Sequence, residues 1–129
     1  MVKLSANMED YLEAASFCAN EEGISRVSDI RDMLGVKTPS VTGAMKALAD
    51  AGYVKHEPYK GIVLTAKGRR AAEDVKKRHA ILSRFLTQVL GVNPKTADMD
   101  ACKMEHAVSR ETLEKLHTYL HKMTGDPHD

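Results

Sequence analysis

The 129-residue chain has no tryptophan, two phenylalanines and four tyrosines. Aromatic stacking therefore cannot dominate its interior, and Leu, Val, Ala and Met must fill the core. Its two cysteines, Cys18 and Cys102, stand far apart and cannot make a disulfide framework. No apolar run approaches the ~18 residues that a membrane helix needs. No charged-then-apolar leader opens the chain. These absences argue against export and insertion. They favour a reducing cytoplasm, where a thiol stays available to a metal ion.

Excess charge of one sign is also missing: the net charge is +1. That balance hides a segregation. Residues 53–84 carry nine Lys/Arg against Glu57, Glu73 and Asp74, whereas residues 1–23 carry five acids against Lys3 alone. Residues 85–129 carry seven acids against five Lys/Arg. A basic centre between acidic ends fits a polyanionic partner, although a solvated charged helix has the same composition.

Punctuation along the chain divides it into helices with one extended interruption. Ser5-Ala6-Asn7 caps a helix over about Met8–Glu22, stopped by Gly23, with Tyr11, Leu12, Ala15, Cys18 and Ala19 on its apolar face. Ser28 suits the cap of a short helix over Asp29–Leu34 that ends at Gly35. Thr38 suits the cap and Pro39 the first position of a helix running to about Ala51. Val27, Ile30, Met33, Leu34, Val41, Met45 and Leu48 have the spacing of a small shared core. Helix, Gly-containing turn, helix is a helix-turn-helix pattern. Tyr53–Glu57 and Ile62–Thr65 then read as strands around a tight turn at Pro58–Gly61, which makes the hairpin a wing. A long helix follows over about 67–90, then helices over about Pro94–His106 and 110–123, the last capped by Ser109.

Such a scaffold presents its second helix to the major groove, N-terminal turn foremost. Thr38, Pro39, Ser40, Thr42 and Gly43 occupy that turn. Hydroxyls there can bond bases or phosphates, and methyls can touch thymine. No Arg stands in the turn to pair with guanine. Arg26, Lys37, Lys46, Lys55 and Lys60 are read as phosphate contacts, which position without specifying.

The most chemically loaded stretch is Cys102-Lys103-Met104-Glu105-His106. Thiol, carboxylate and imidazole at i, i+3 and i+4 share one helical face, and all three are transition-metal ligands. Asp10 and Glu13 stand three apart on the first helix. If the two helices meet, one ion would join the chain's beginning to its end. Each group also has an ordinary explanation: a Cys that packs as a small hydrophobe, a Glu paired with Lys103 or Arg110, an Asp that favours a helix N-terminus. His117 and His121, four apart, lack a third ligand nearby and are read as surface histidines.

Several segments in this order, "MEDYLEAA" (8–15), "RVSDIRDMLGVKTPSVTGAMKALADAGYVKHEPYKGIVLTAKGRRAA" (26–72), "KRHAILSRFL" (77–86), "VLGV" (89–92) and "ACKMEHAVS" (101–109), resemble the diphtheria toxin repressor family, most closely its manganese transport regulator branch. The resemblance covers about 5–123. It implies a mainly α fold with a small β-hairpin: a winged helix-turn-helix DNA-binding domain over 1–72 and a helical metal-binding and dimerisation domain over 73–129. Some members add a domain resembling an SH3 fold, and the chain as read ends before one. The resemblance implies a homodimer that binds a palindromic operator when loaded with a divalent metal and represses metal-uptake genes. It places ligands at Asp10, Glu13, His79, Cys102, Glu105 and His106. Two departures stand out. Ser83 and Asp98 occupy positions where the iron-type branch has ancillary ligands, and Cys102 stands where the manganese branch often has Glu. The carboxylates suit Mn²⁺ and the thiolate and imidazoles suit Fe²⁺, with Zn²⁺, Co²⁺ or Ni²⁺ able to occupy the site in vitro. Thiolate binding releases a proton, so affinity should rise with pH.

The implied switch pins the first helix to the dimerisation domain through the ion, which fixes the spacing of two reading heads. Shifting a 1:99 equilibrium to 99:1 takes ~5.5 kcal/mol of differential binding. Two rival readings remain at this level. One is a winged-helix regulator that senses a non-metal ligand or redox state; chelators would not affect its operator binding. The other is a small metalloenzyme with Glu105 as base, for which no substrate-binding loop is evident.

Overall fold

The computed structural model describes residues 4–57 and 60–124. The chain divides into two compact units, 1–74 and 75–129.

The first unit opens with helix α1 (Ala6–Phe17). The Ser5 hydroxyl accepts from the Met8 amide at 3.1 Å, satisfying one of the amides a helix start leaves open. The helix stops five residues before the expected Glu22. Asn20 intervenes: its Oδ1 accepts from the amides of Glu22 and Ile24, at 2.9 and 3.0 Å. This side-chain turn, with Gly23 at φ 81°, feeds strand β1 (Ile24–Ser25), an element the sequence pattern did not reveal.

Helix α2 (Val27–Leu34) follows directly, and its cap position is Arg26, not Ser28, because β1 runs straight into the helix. Helix α3 (Thr38–Asp50) has Lys37 at its cap, so Thr38 is already helical and Pro39 sits in the first turn. The first unit's core is Tyr11, Leu12, Ala14, Ala15, Ile30, Val41, Ala44, Met45, Leu48, Val54, Ile62 and Ala72. Met33 is 52% exposed and is not a core residue. Val27, Ile30 and Leu34 line up at i, i+3 and i+7, and Met33 falls roughly 90° off that line.

Strands β2 (Val54–Glu57) and β3 (Gly61–Leu64) form the wing, paired antiparallel from Val54↔Leu64 to Glu57↔Gly61. Pro58 and Tyr59, at the expected hairpin tip, lie outside the described residues. β1 adds to the other edge of β3 through Ile24↔Val63 and Ser25↔Ile62, giving the order β1-β3-β2. Thr65 joins wing to helix: its hydroxyl donates to the Gly52 carbonyl at 2.7 Å and accepts from the Gly68 amide at 3.1 Å.

Helix α4 (Ala66–Arg84) begins there and runs into a π-helical turn over Phe85–Val89. Thr87 explains the widening. Its hydroxyl donates back to the carbonyls of Ser83 and Arg84, at 3.0 and 3.3 Å, and so competes with the regular ladder. In the second unit, helix α5 (Pro94–Met104) is capped by Asn93, whose Oδ1 accepts from the Lys95 amide at 2.9 Å. Helix α6 (Arg110–Thr124) is capped by Ser109, which accepts from the Thr112 amide at 3.2 Å. Leu82, Ala101 and Leu113 form the second core, with Ile81, Met104, Val108 and Leu116 packed around them. No helix among the described residues is long and apolar enough to cross a membrane.

Candidate metal centre and nucleic-acid interface

The second unit builds its site from α4 and the C-terminal end of α5. Ala97 and Ala101 are fully buried and hold one face of α5 inward. Asp98, Cys102 and Glu105 follow at i, i+4 and i+7 along a neighbouring stripe. Glu105 ends the helix and is completely buried. Its Oε2 lies 3.2 Å from Nδ1 of His79, which α4 supplies, and its Oε1 lies 3.6 Å from Nε2 of His106. Ligand atoms of His79, Cys102 and Glu105 all fall within 4.8 Å of one another. A buried carboxylate is costly unless cationic partners compensate it. Two imidazoles and a thiol around it are a donor set that fits a divalent transition ion. Cys102 is exposed, so the cluster has a side open to solvent, as an ion's entry requires.

Two contributors escaped the sequence reading. The Arg78 guanidinium donates to the Glu105 backbone carbonyl at 2.8 Å, which ties α4 to the end of α5 and satisfies a helix-terminal acceptor. Asp98, read only as a departure from an ancillary ligand, lies 2.7 Å from His79 Nε2. Its signal was available as the i, i+4, i+7 stripe with Cys102 and Glu105. Arg78 had none beyond its place beside His79.

In the first unit, Asp10 and Glu13 stand three apart on α1, both half-buried. Cys18 is half-buried and packs against the first core. Burial, and secondarily the charge of Asp29, push that thiol's pKa up. His117 and His121 are not plain surface histidines. Both are half-buried, and their rings stack at 6.0 Å between centroids. The buried Nε2 of His117 has no hydrogen-bond partner among the described residues.

On α3, Lys37, Thr38, Pro39, Ser40, Thr42 and Lys46 are all exposed, as are Arg26 before α2 and Lys55 and Lys60 of the wing. Two hydroxyls are already engaged. Thr38 Oγ1 accepts from Arg31 Nη1 at 3.3 Å, and Thr42 Oγ1 donates to the Thr38 carbonyl at 3.1 Å. Arg31 was not foreseen at this turn; it reaches there from α2, seven residues earlier.

Residues 3–62 match the model of the iron dependent repressor N-terminal DNA binding domain, and residues 65–129 match that of the iron dependent repressor metal binding and dimerisation domain. The chain belongs to the iron-dependent repressor family. It is a metal-dependent, DNA-binding and dimerising transcriptional repressor of metal homeostasis. Among curated relatives, an uncharacterized HTH-type transcriptional regulator of Methanocaldococcus jannaschii is 38% identical over 120 residues, covering 92% of this chain and 96% of the relative. The transcriptional regulator MntR of Escherichia coli is 40% identical over 115 residues, covering 89% of this chain and 74% of MntR. A solved manganese-dependent transcriptional repressor in complex with manganese is 28% identical with a TM-score of 0.77, covering 88% of this chain and 52% of that one. The metal-dependent transcriptional regulator MtsR gives 25% identity and a TM-score of 0.81, over 91% of this chain and 54% of that one. The chain therefore spans about half the length of these two solved proteins.

Proposed function

We propose that Mn²⁺ or Fe²⁺ is the ion that activates operator binding, and that His79, Cys102, Glu105 and His106 hold it. The cluster around the buried Glu105 carboxylate carries this reading. The manganese named for a solved relative favours Mn²⁺, and the Cys102 thiolate favours Fe²⁺. Asp10 and Glu13 complete the ligand set in this reading, supported by their helical spacing and by the resemblance of the "MEDYLEAA" segment to its family counterpart. The ion's chemistry is a concentrated positive charge that neutralises several carboxylates at once. Glu105 supplies the buried anion, His79 and His106 supply neutral imidazole donors, and Cys102 gives up its proton to the solvent it faces. The target is a palindromic operator in front of metal-uptake genes, read by the two α3 helices of a homodimer. The exposed turn at Lys37–Ser40 supports that role for α3. Exposed Leu90, Tyr119 and Met123 of the second unit are candidates for self-association. The named relatives are transcriptional regulators, and we read the chain as a non-catalytic, cytoplasmic protein.

Titrating operator affinity against free Mn²⁺ and Fe²⁺, anaerobically and at fixed salt, tests the proposal. Each ion should tighten binding, and a chelator should reverse it. Binding that ignores both ions and chelator would sink the reading.

The phosphate-contact assignments carry a separate expectation. Lys46→Ala should weaken the loaded protein on all sequences alike and lower the slope of log affinity against log salt by about one. A salt slope identical to wild type would remove Lys46 from the interface.

A further inference from the structure

The hydrogen bond between His79 and Asp98 constrains the metal centre in a way the ligand list does not. Asp98 Oδ1 lies 2.7 Å from His79 Nε2, a distance that suits a carboxylate oxygen accepting from a ring with its hydrogen on Nε2. In the neutral ring the lone pair then sits on Nδ1. That nitrogen faces Glu105 Oε2 at 3.2 Å and belongs to the cluster with Cys102. The two ring nitrogens point in diverging directions, so the Asp98 oxygen and the Glu105 oxygen lie at opposite edges of the imidazole. We propose that Asp98 is a positioning residue of the metal centre: it holds His79 in the Nε2–H tautomer and presents Nδ1 as the donor atom.

This proposal rests on the metal-centre reading above. Carboxylate partners of metal-bound histidines commonly fix ring orientation and raise donor basicity. Two features suit Asp98 to the task. It lies one turn before Cys102 on α5, a helix held by its own cap and by the buried Ala97 and Ala101. Its side chain is 72% exposed, so substituting it removes little packing and leaves the fold intact.

The test uses the full chain as wild type, Asp98→Ala and Asp98→Asn. Long-range proton–nitrogen NMR of the Zn²⁺-loaded proteins reads which His79 nitrogen binds the ion and which bears hydrogen. Chelator competition reads Mn²⁺ affinity and the number of ions per subunit. In wild type, Nδ1 should show the metal-bound shift and Nε2 a slowly exchanging proton. Asp98→Ala should expose that proton to rapid exchange and weaken Mn²⁺ binding roughly 10–100-fold, with the ion count unchanged. Asp98→Asn keeps an acceptor oxygen and should recover most of the loss. Metal on Nε2 in wild type, unchanged affinity in Asp98→Ala, loss of one ion per subunit in that variant, or an Asn variant as impaired as Ala would each overturn the proposal. A wild-type chain that binds neither Zn²⁺ nor Mn²⁺ overturns the metal-centre reading itself, and this inference with it.

Discussion

Glu105→Gln should abolish metal-responsive operator binding while leaving the protein folded. Glu105 is the one fully buried carboxylate of the described cluster, with an imidazole nitrogen near each oxygen. Glutamine keeps its shape and removes its charge. Losing even an outer partner of a ligand costs 10–100-fold in metal affinity, so with Glu105 in its proposed ligand role the substitution should cost at least about 100-fold. Folding should respond in the opposite sense. A buried charge is expensive to desolvate, and a neutral isostere in its place is often neutral or stabilising. With chelator present, the unfolding free energy of the variant should therefore equal or exceed that of wild type. Three measurements decide it: Mn²⁺ affinity by competition, operator binding with and without metal, and denaturant unfolding in chelator. Wild-type metal responsiveness in Glu105→Gln would remove this carboxylate from the switch. His106→Ala should act in the same direction, lowering metal responsiveness more than metal-independent folding.

Gly68→Ala should produce the largest loss of stability of any single-methyl change in the first unit. Gly68 is buried in the first turn of α4, and a β-carbon there would stand 1.9 Å from the Tyr53 carbonyl oxygen. That oxygen cannot swing away. It accepts from the Thr65 amide at 3.0 Å and shares the Thr65 hydroxyl, at 3.1 Å, with the Gly52 carbonyl, and Lys67 packs over the Tyr53 ring. Forcing a methyl into such a junction costs typically 1–3 kcal/mol, occasionally more, and backbone against backbone puts Gly68 at the upper end. The first unit's melting midpoint should fall by roughly 10–20 °C. Gly43 is the control. It lies inside α3 with nothing within 4 Å of an added β-carbon. There alanine gains helix propensity, and Gly43→Ala should stabilise by about 0.5–1 kcal/mol. Equal thermal shifts for the two substitutions would show that the close approach at Tyr53 does not govern this junction.

Local rules reached some features of this protein and missed others, for identifiable reasons. Ser5, Ser109, Gly35 and Pro39 act within a turn of their own position, so the starts and stops they set were legible. The cap placed at Ser28 and the helix extended to Glu22 both failed at β1. That two-residue strand exists only because β3, nearly forty residues later, offers it an edge. Met33 was counted into the core because it is apolar and near Ile30, yet helical phase leaves it exposed. Thr38 and Thr42 are exposed as expected, but the bonds that orient their hydroxyls, from Arg31 and to the Thr38 carbonyl, were not legible in the spacing.

At the metal centre the same division holds. By itself the sequence determined that a thiol, a carboxylate and an imidazole gather at the end of one helix, although the helix stops at Met104, with Glu105 as its cap and His106 just beyond it. It could not say that the Glu105 carboxylate is sealed from solvent, that His79 comes up against it through Nδ1, or that Arg78 and Asp98 brace the two helices. Those are distances between segments separated by a bend, and they depend on how Leu82, Ala101 and Leu113 pack. Hydrogen bonds weaken within an ångström or so of their optimum. Spacing in the chain names the participants, and only packing in three dimensions sets which of their atoms meet.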